Sequence, residues 1–248
     1  MKNVLVTGAS GGIGSAIALA LAEPGWTLAL HYRSDLSAVS RLAEAVNGAG
    51  ARAYIVQADL ATPGGASSLG AAVRTDVGPV DILVNNAGDW VEKPLLETND
   101  QEWDRMINTD LRSTYELTRS LAPSMVERNW GRIVNISSIA SLNYVPGEGL
   151  YGIAKAGINM LTKTLGVELA RSGVTANAVA PGWTLPAFED FPLAADYPQC
   201  QDAPDGRPGH AREVASLVRY LVSEDAGHIT GQIFPIDGGL SVTMAKGR

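Results

Sequence analysis

Short apolar runs alternate along this chain with longer stretches in which apolar positions recur every third or fourth residue. The runs are Val4-Leu5-Val6, 27–32, 52–57, 82–84, 132–136, 175–179 and 232–236; helical periods fall at 13–23, 36–47, 101–128, 152–171 and 212–223. Strands this apolar, alternating with helices, predict a parallel sheet covered by helices on both faces. The expected fold is α/β, a doubly wound sheet of about seven strands. No repeat or linker-like shift interrupts the alternation, so residues 1–248 read as one domain. The segment 183–209 carries five prolines and no clean period. A loop of that length inside a compact domain is usually functional, and it reads as a substrate lid.

Composition narrows the class. Of 248 residues, 46% are hydrophobic and 18% charged, the balance of a globular protein. No apolar run approaches the ~20 residues that span a bilayer, so no membrane partner is expected. The first strand starts almost at Met1, which leaves no room for a targeting segment. Cys200 is the single cysteine, which excludes an intramolecular disulfide and suits a reducing compartment. Together these read as cytoplasmic. A net charge of −7 argues against a nucleic-acid partner. His31, His210 and His228 are widely separated, so surface or packing roles are expected and no metal site.

Two patterns carry chemistry. Thr7-Gly8-Ala9-Ser10-Gly11-Gly12-Ile13-Gly14 joins the first strand to the first helix. Such a turn holds a pyrophosphate on backbone N–H groups: Gly8 allows the tight turn, Gly12 the approach of phosphate, Gly14 close packing of helix on strand. The fold is then Rossmann-type. The second strand ends His31-Tyr32-Arg33-Ser34, with Tyr32 where a carboxylate would accept the ribose hydroxyls of NAD. Arg33 can instead pair with the 2′-phosphate of NADP. Gly11, where a second basic residue would help, and the acidic Asp35 weigh the other way, and Arg33 as a solvated surface charge is the plain alternative. The second pattern is Ser138-x12-Tyr151-x3-Lys155. Residues i and i+4 share a helix face. A phenol of pKa about 10 is a poor acid near neutrality, and a neighbouring ammonium lowers it. Tyr151 could then protonate the alkoxide left by hydride transfer to a ketone. Ser138 would hold the substrate oxygen; the adjacent Ser137 is its rival.

These two patterns, in this order and with Asn85-Asn86-Ala87-Gly88 between them, resemble the short-chain dehydrogenase/reductase family over nearly the whole chain. The resemblance implies that Asp59-Leu60 touches the adenine, that Asn86, Ala87 and Gly88 line the cofactor cleft, and that Pro181-Gly182 contacts the nicotinamide carboxamide. Pro186 occupies the register where relatives carry a Thr, so Thr184 is expected to take over. Ser10, Ile13, Ser34, Tyr151 and Lys155 complete the expected cofactor set, Lys155 bonding the nicotinamide ribose. Relatives carry an Asn on the helix after the fourth strand, its main-chain carbonyl holding a relay water. The register puts Asp110 at that catalytic position; a shift of two would make it Asn108. Ionised, Asp110 would favour a charged Lys155 and oppose ionisation of Tyr151. It is expected to touch Lys155, and Asp110→Asn to keep activity with a pH-profile shift below one unit (about 1.4 kcal/mol).

Substrates of such folds bind outside the carboxyl ends of the strands. Trp90, Tyr144, Trp183, Phe188 and Phe191 gather there, although aromatic residues are only 6% of the chain. They imply an apolar or ring-bearing ketone, or else they pack the lid. With its Asp237-Gly238-Gly239 ending the chain is most similar to β-ketoacyl carrier-protein reductases, whose acidic partner would be met by basic residues such as Arg128, Arg132 and Arg171. The resemblance implies an NADPH-dependent ketoreductase acting on a β-ketoacyl thioester or polyketide-like ketone. An NAD-linked secondary-alcohol dehydrogenase and a non-catalytic nucleotide-binding protein are the other readings. Ala154, Ala156 and Gly157 flatten the Tyr–Lys helix. In relatives that serves a homotetramer interface; close packing within the monomer would explain it equally.

Overall fold

The computed structural model describes residues 1–186 and 203–243. Seven parallel strands form one sheet in the order β3-β2-β1-β4-β5-β6-β9. In chain order these are β1 (Asn3–Val6), β2 (Thr27–Tyr32), β3 (Arg52–Gln57), β4 (Ile82–Asn85), β5 (Gly131–Ile136), β6 (Val174–Pro181) and β9 (Ile233–Ile236). β7 (Thr184–Leu185) and β8 (Gly209–His210) pair separately, also in parallel.

Side-chain alternation along the strands decides which helices cover which face. Val4 and Val6, Leu28 and Leu30, and Ile82 and Val84 project to one face. There they meet α1 (Gly12–Ala20), α2 (Leu36–Gly48) and α7 (Ala211–Leu221). Leu5, Ala29, Leu83 and Ile133 project to the other face, against α3 (Gly65–Asp76) and α5 (Ser113–Glu127). α6 (Gly149–Glu168) lies beside β6 and packs with α4 (Asp100–Met106). The sheet is therefore doubly wound, as the apolar pattern predicts. The strand order reverses between β1 and β4, and the crevice at such a reversal, beyond the carboxyl strand ends, is where ligands bind in this architecture.

Two local expectations change, and a third lies largely outside the described residues. The helical period at 101–128 is not one helix: α4 and α5 are separated by a π-helical turn, Ile107–Arg112. α3 is a helix that the periodicity reading did not include. Of the expected lid 183–209, only the two ends lie among the described residues, and β7 and β8 pair them, Thr184 with Gly209 and Leu185 with His210. Phe188, Phe191 and Cys200 lie outside the described residues.

Candidate active site

The glycine turn packs tightly against the end of β4. Gly8 has φ +63°, and a Cβ there would lie 2.9 Å from the Ala87 Cα. A Cβ on Gly14 would lie 2.3 Å from the Gly8 carbonyl oxygen and 2.6 Å from Asn86 Nδ2. Side chains at either position would push the turn from the β4 end. Thr7 and Asn86 lock the two together: Thr7 Oγ1 accepts from the N–H groups of Asn86 and Ala87 at 2.9 Å each, and Asn86 Nδ2 donates to the carbonyls of Thr7 and Gly8. No side chain caps the first turn of α1, whose N–H groups therefore face the crevice for a ligand.

His31 adds a brace that the sequence reading assigned to packing or surface. Its Nδ1 accepts the Gly8 N–H at 3.0 Å, so the ring is the neutral tautomer that donates from Nε2 to the Ala58 carbonyl at 3.1 Å. Burial pushes its pKa below the usual histidine value. The ring pins the turn to the end of β3.

A cleft of about 480 Å³ lies over this turn, within the range of small-molecule sites. Gly8, Ser10, Gly12, Ile13, Gly14, Arg33, Ser34, Asp59, Leu60, Asn86, Ala87, Gly88 and Thr184, all expected cofactor residues, line it. Pro186 also lines it, beside Thr184. Arg33 lies half exposed at its edge, 3.7 Å from the Asp89 carboxylate, which also binds Arg105 at 2.5 Å. Tyr32 is buried in the core and does not face the cleft. Asp35 accepts from the Ala38 N–H at 2.8 Å and caps α2. The glycine cradle, the open helix end and the guanidinium at the rim fit a dinucleotide phosphate chain.

A second cleft adjoins the first: Ile13, Asn86, Gly88 and Thr184 line both. Ser138, Tyr151, Lys155, Pro181, Gly182, Trp90, Tyr144 and Trp183 line the second. Ser138, after β5, is half-buried; its Oγ accepts the Ala140 N–H at 3.2 Å. Ser137 is buried and donates to the Lys155 carbonyl at 3.3 Å, a structural role that separates it from Ser138. The Lys155 Nζ lies 5.4 Å from the centre of the Tyr151 ring and donates to the Ile136 carbonyl at 3.1 Å.

Beneath the tyrosine lies a buried ion pair. Asp110, in the π-helical turn, has no exposed surface, and its Oδ2 is 2.9 Å from Lys155 Nζ. Its Oδ1 accepts the Asp89 N–H at 2.8 Å, and its main-chain carbonyl accepts from Thr114 Oγ1 at 2.6 Å. Asn108 instead reaches the Ala61 carbonyl, so Asp110 is the residue brought to the lysine. Burial pushes the Asp110 carboxyl above its usual range despite the ammonium. Burial works against the Lys155 charge too, but Asp110 and then Tyr151 outweigh it and hold the lysine above its usual value. A Cβ on Gly88 would lie 2.9 Å from Asp110 Oδ2, so glycine lets the β4 loop pass over the pair. Gly157 packs on Leu111, which accounts for its small size within the monomer.

The basic residues suggested for a carrier protein are elsewhere. Arg128 pairs with Asp81, ahead of β4, at 3.0 Å; Arg132 is the second residue of β5 and is buried among the Ser223, Gly131 and Gly173 carbonyls; Arg171 precedes β6. All three sit at the amino ends of the strands, opposite the clefts. Two other side chains at the clefts went unread: Asp89, which gathers Arg33 and Arg105, and Glu148, which takes the Trp90 indole N–H at 3.3 Å.

Comparison with known proteins agrees with this geometry. Residues 8–241 match the family model described as "Enoyl-(Acyl carrier protein) reductase". Nodulation protein G of Azospirillum brasilense is 38% identical over 97% of this chain and 98% of that protein. The 3-oxoacyl-[acyl-carrier-protein] reductase FabG of Staphylococcus epidermidis is 36% identical over 96% and 98%. Among solved structures, acetoin dehydrogenase from Enterobacter cloacae superposes with a TM-score of 0.91 at 32% identity, covering 100% and 98% of the two chains. The angucycline C-6 ketoreductase LanV with bound NADP gives 0.87 at 30%, covering 98% and 96%. With the glycine turn, the Ser–Tyr–Lys cleft and these full-length similarities in agreement, the chain belongs to the short-chain dehydrogenase/reductase family, whose members are oxidoreductases using nicotinamide cofactors.

Proposed function

We propose that this oxidoreductase is an NADPH-dependent ketoreductase. The observation that carries the reading is the junction of two clefts, with the glycine turn in one and Ser138, Tyr151 and the buried Lys155 in the other. The glycine turn and α1 would hold the pyrophosphate, Arg33 the 2′-phosphate, and Lys155 with Tyr151 the nicotinamide ribose. Bound there, the cofactor supplies a hydride. Ser138 Oγ donates to the substrate carbonyl oxygen and fixes its direction. The Tyr151 hydroxyl gives its proton to that oxygen as the carbonyl becomes an alcohol. Lys155 stays charged beside the phenol because Asp110 holds its proton in place.

The aromatic rim of Trp90, Tyr144 and Trp183 favours an apolar or ring-bearing ketone. This accords with the ketoreductase and 3-oxoacyl reductase named among the relatives. Tyr151→Phe removes the transferable proton and keeps the ring. It should lower ketone reduction more than tenfold while NADPH binding, read by fluorescence titration, changes little. Retention of over a tenth of the activity would make the assigned acid wrong.

One observation favours an NAD-linked alcohol dehydrogenase as the second reading. Arg33 already faces the Asp89 carboxylate at 3.7 Å, which competes with a 2′-phosphate for the guanidinium. Dissociation constants for NADPH and NADH separate the two.

A further inference from the structure

The substrate cleft holds a carboxylate that the fold does not use. Glu148 is the N-cap residue of α6, three residues before Tyr151, and both line the second cleft. Its carboxylate makes no bond to the helix N-terminus. The residue is 9% exposed and lines the cleft with Ser138 and Tyr151. Its Oε1 accepts one bond, from Trp90 Nε1 at 3.3 Å.

No cation pairs with it among the described residues. Lys93 is engaged by Glu102 at 2.6 Å and Lys155 by Asp110 at 2.9 Å. Glu92 on the facing loop carries the same sign, and burial together with Glu92 raises the Glu148 carboxyl above its usual range against the Trp90 bond. An ionised carboxylate offers about four lone-pair sites, and Trp90 fills one. A carboxylate this buried is costly unless donors satisfy it. Neither of its oxygens is sealed off without a partner, so the remaining sites open into the cleft, where water or a donor on a ligand fills them.

We propose that Glu148 is a specificity-determining residue. It accepts a hydrogen bond from a donor on the substrate, a hydroxyl or ammonium group near the reacting ketone, and it repels a carboxylate at that place. The proposal rests on the ketoreductase reading. Trp90 is a positioning residue here: its indole N–H holds one carboxylate oxygen and turns the other toward substrate.

The test compares kcat/KM for methyl ethyl ketone, its terminally hydroxylated and dimethylamino derivatives, and acetoacetate, in wild type, Glu148→Gln and Glu148→Leu. A charge-assisted hydrogen bond predicts about a tenfold or greater wild-type preference for the two donor-bearing ketones over the plain one. Glu148→Leu should cut that ratio about tenfold. Glu148→Gln, which keeps shape and one acceptor, should retain part of the hydroxyl preference, lose the ammonium preference and admit acetoacetate. Equal ratios in wild type and Glu148→Leu would overturn the proposal. If no ketone turns over with either cofactor, the ketoreductase reading fails on its own. Calorimetric binding of the same four compounds then decides: a donor preference lost in Glu148→Leu supports the proposal, and equal affinities refute it.

Discussion

The Asp110–Lys155 pair gives the sharpest test of how this site works. At 2.9 Å, two unit charges attract by about 6 kcal/mol in a medium of effective dielectric near 20, and much of that offsets the cost of burying both groups. Asp110→Asn keeps the shape and removes the charge, leaving Lys155 buried with its chief partner gone. Breaking one side of a buried pair costs about 3–5 kcal/mol, or a fall in Tm of roughly 6–20 °C for a chain of this size.

The pH consequence has a definite sign. In the native protein Lys155 is held above the usual value of 10.5, so its charge contributes stability below that pH, and the contribution is lost as pH rises through the raised value. Without Asp110 the burial effect dominates and the lysine releases its proton at lower pH. The alkaline limb of kcat/KM for ketone reduction should therefore move toward acid, and activity should recover as the pH is lowered. The assay is a pH–rate profile with saturating cofactor, run beside thermal melts. An unmoved limb with unchanged Tm would refute the argument. A loss of two orders of magnitude that low pH does not restore would make the carboxylate itself a catalytic group.

Three further outcomes are expected. Arg33→Ala should erode a preference for NADPH of about tenfold or more, the value of one charge-assisted pair, with little change in the rate at saturating cofactor; equal affinities for both reduced cofactors in wild type would contradict this. Trp183→Ala should raise KM for a bulky ketone more than for a small one, by about 1–3 kcal/mol of lost contact; a uniform rise would assign the ring to packing. The His31 pKa lies below its usual 6.5, so the unfolded chain takes up a proton near that pH that the folded one refuses, and stability falls as the pH drops through the lowered value. Protonation would also remove the acceptor for the Gly8 N–H, so cofactor affinity should fall as the pH drops through that lowered value in wild type and not in His31→Asn; the same acid-side loss in both would exclude His31.

The strands were legible because a parallel sheet buried on both faces leaves runs with hardly a polar residue: all of β1 after Asn3 and all of β4 are buried. The glycine turn was legible because only glycine satisfies Gly8 and Gly14, by conformation and by space. α3 escaped because it begins at Gly65 and carries Ser67, Ser68 and Gly70, weak helix formers that read as a loop. The signal that could have found it is Ala66, Leu69 and Val73, three to four residues apart and all buried.

The charged part of the site was harder to read, because charge acts through space and not through period. Asp110 was found only by register, and its burial against Lys155 comes from a π-helical turn that no hydrophobic spacing announces. Glu148 sat in what reads as a polar loop, between glycines that suggest a turn and nothing more. Only the folded chain brings it under Trp90, fifty-eight residues away in sequence, and turns a loop residue into a buried carboxylate facing the substrate cleft. Backbone demands leave a local residue type, glycine or a β-branched run, whereas a buried charge leaves only an ordinary acidic residue whose partner lies on another element. A residue such as Glu148 is therefore found only after the fold has shown which charges are buried.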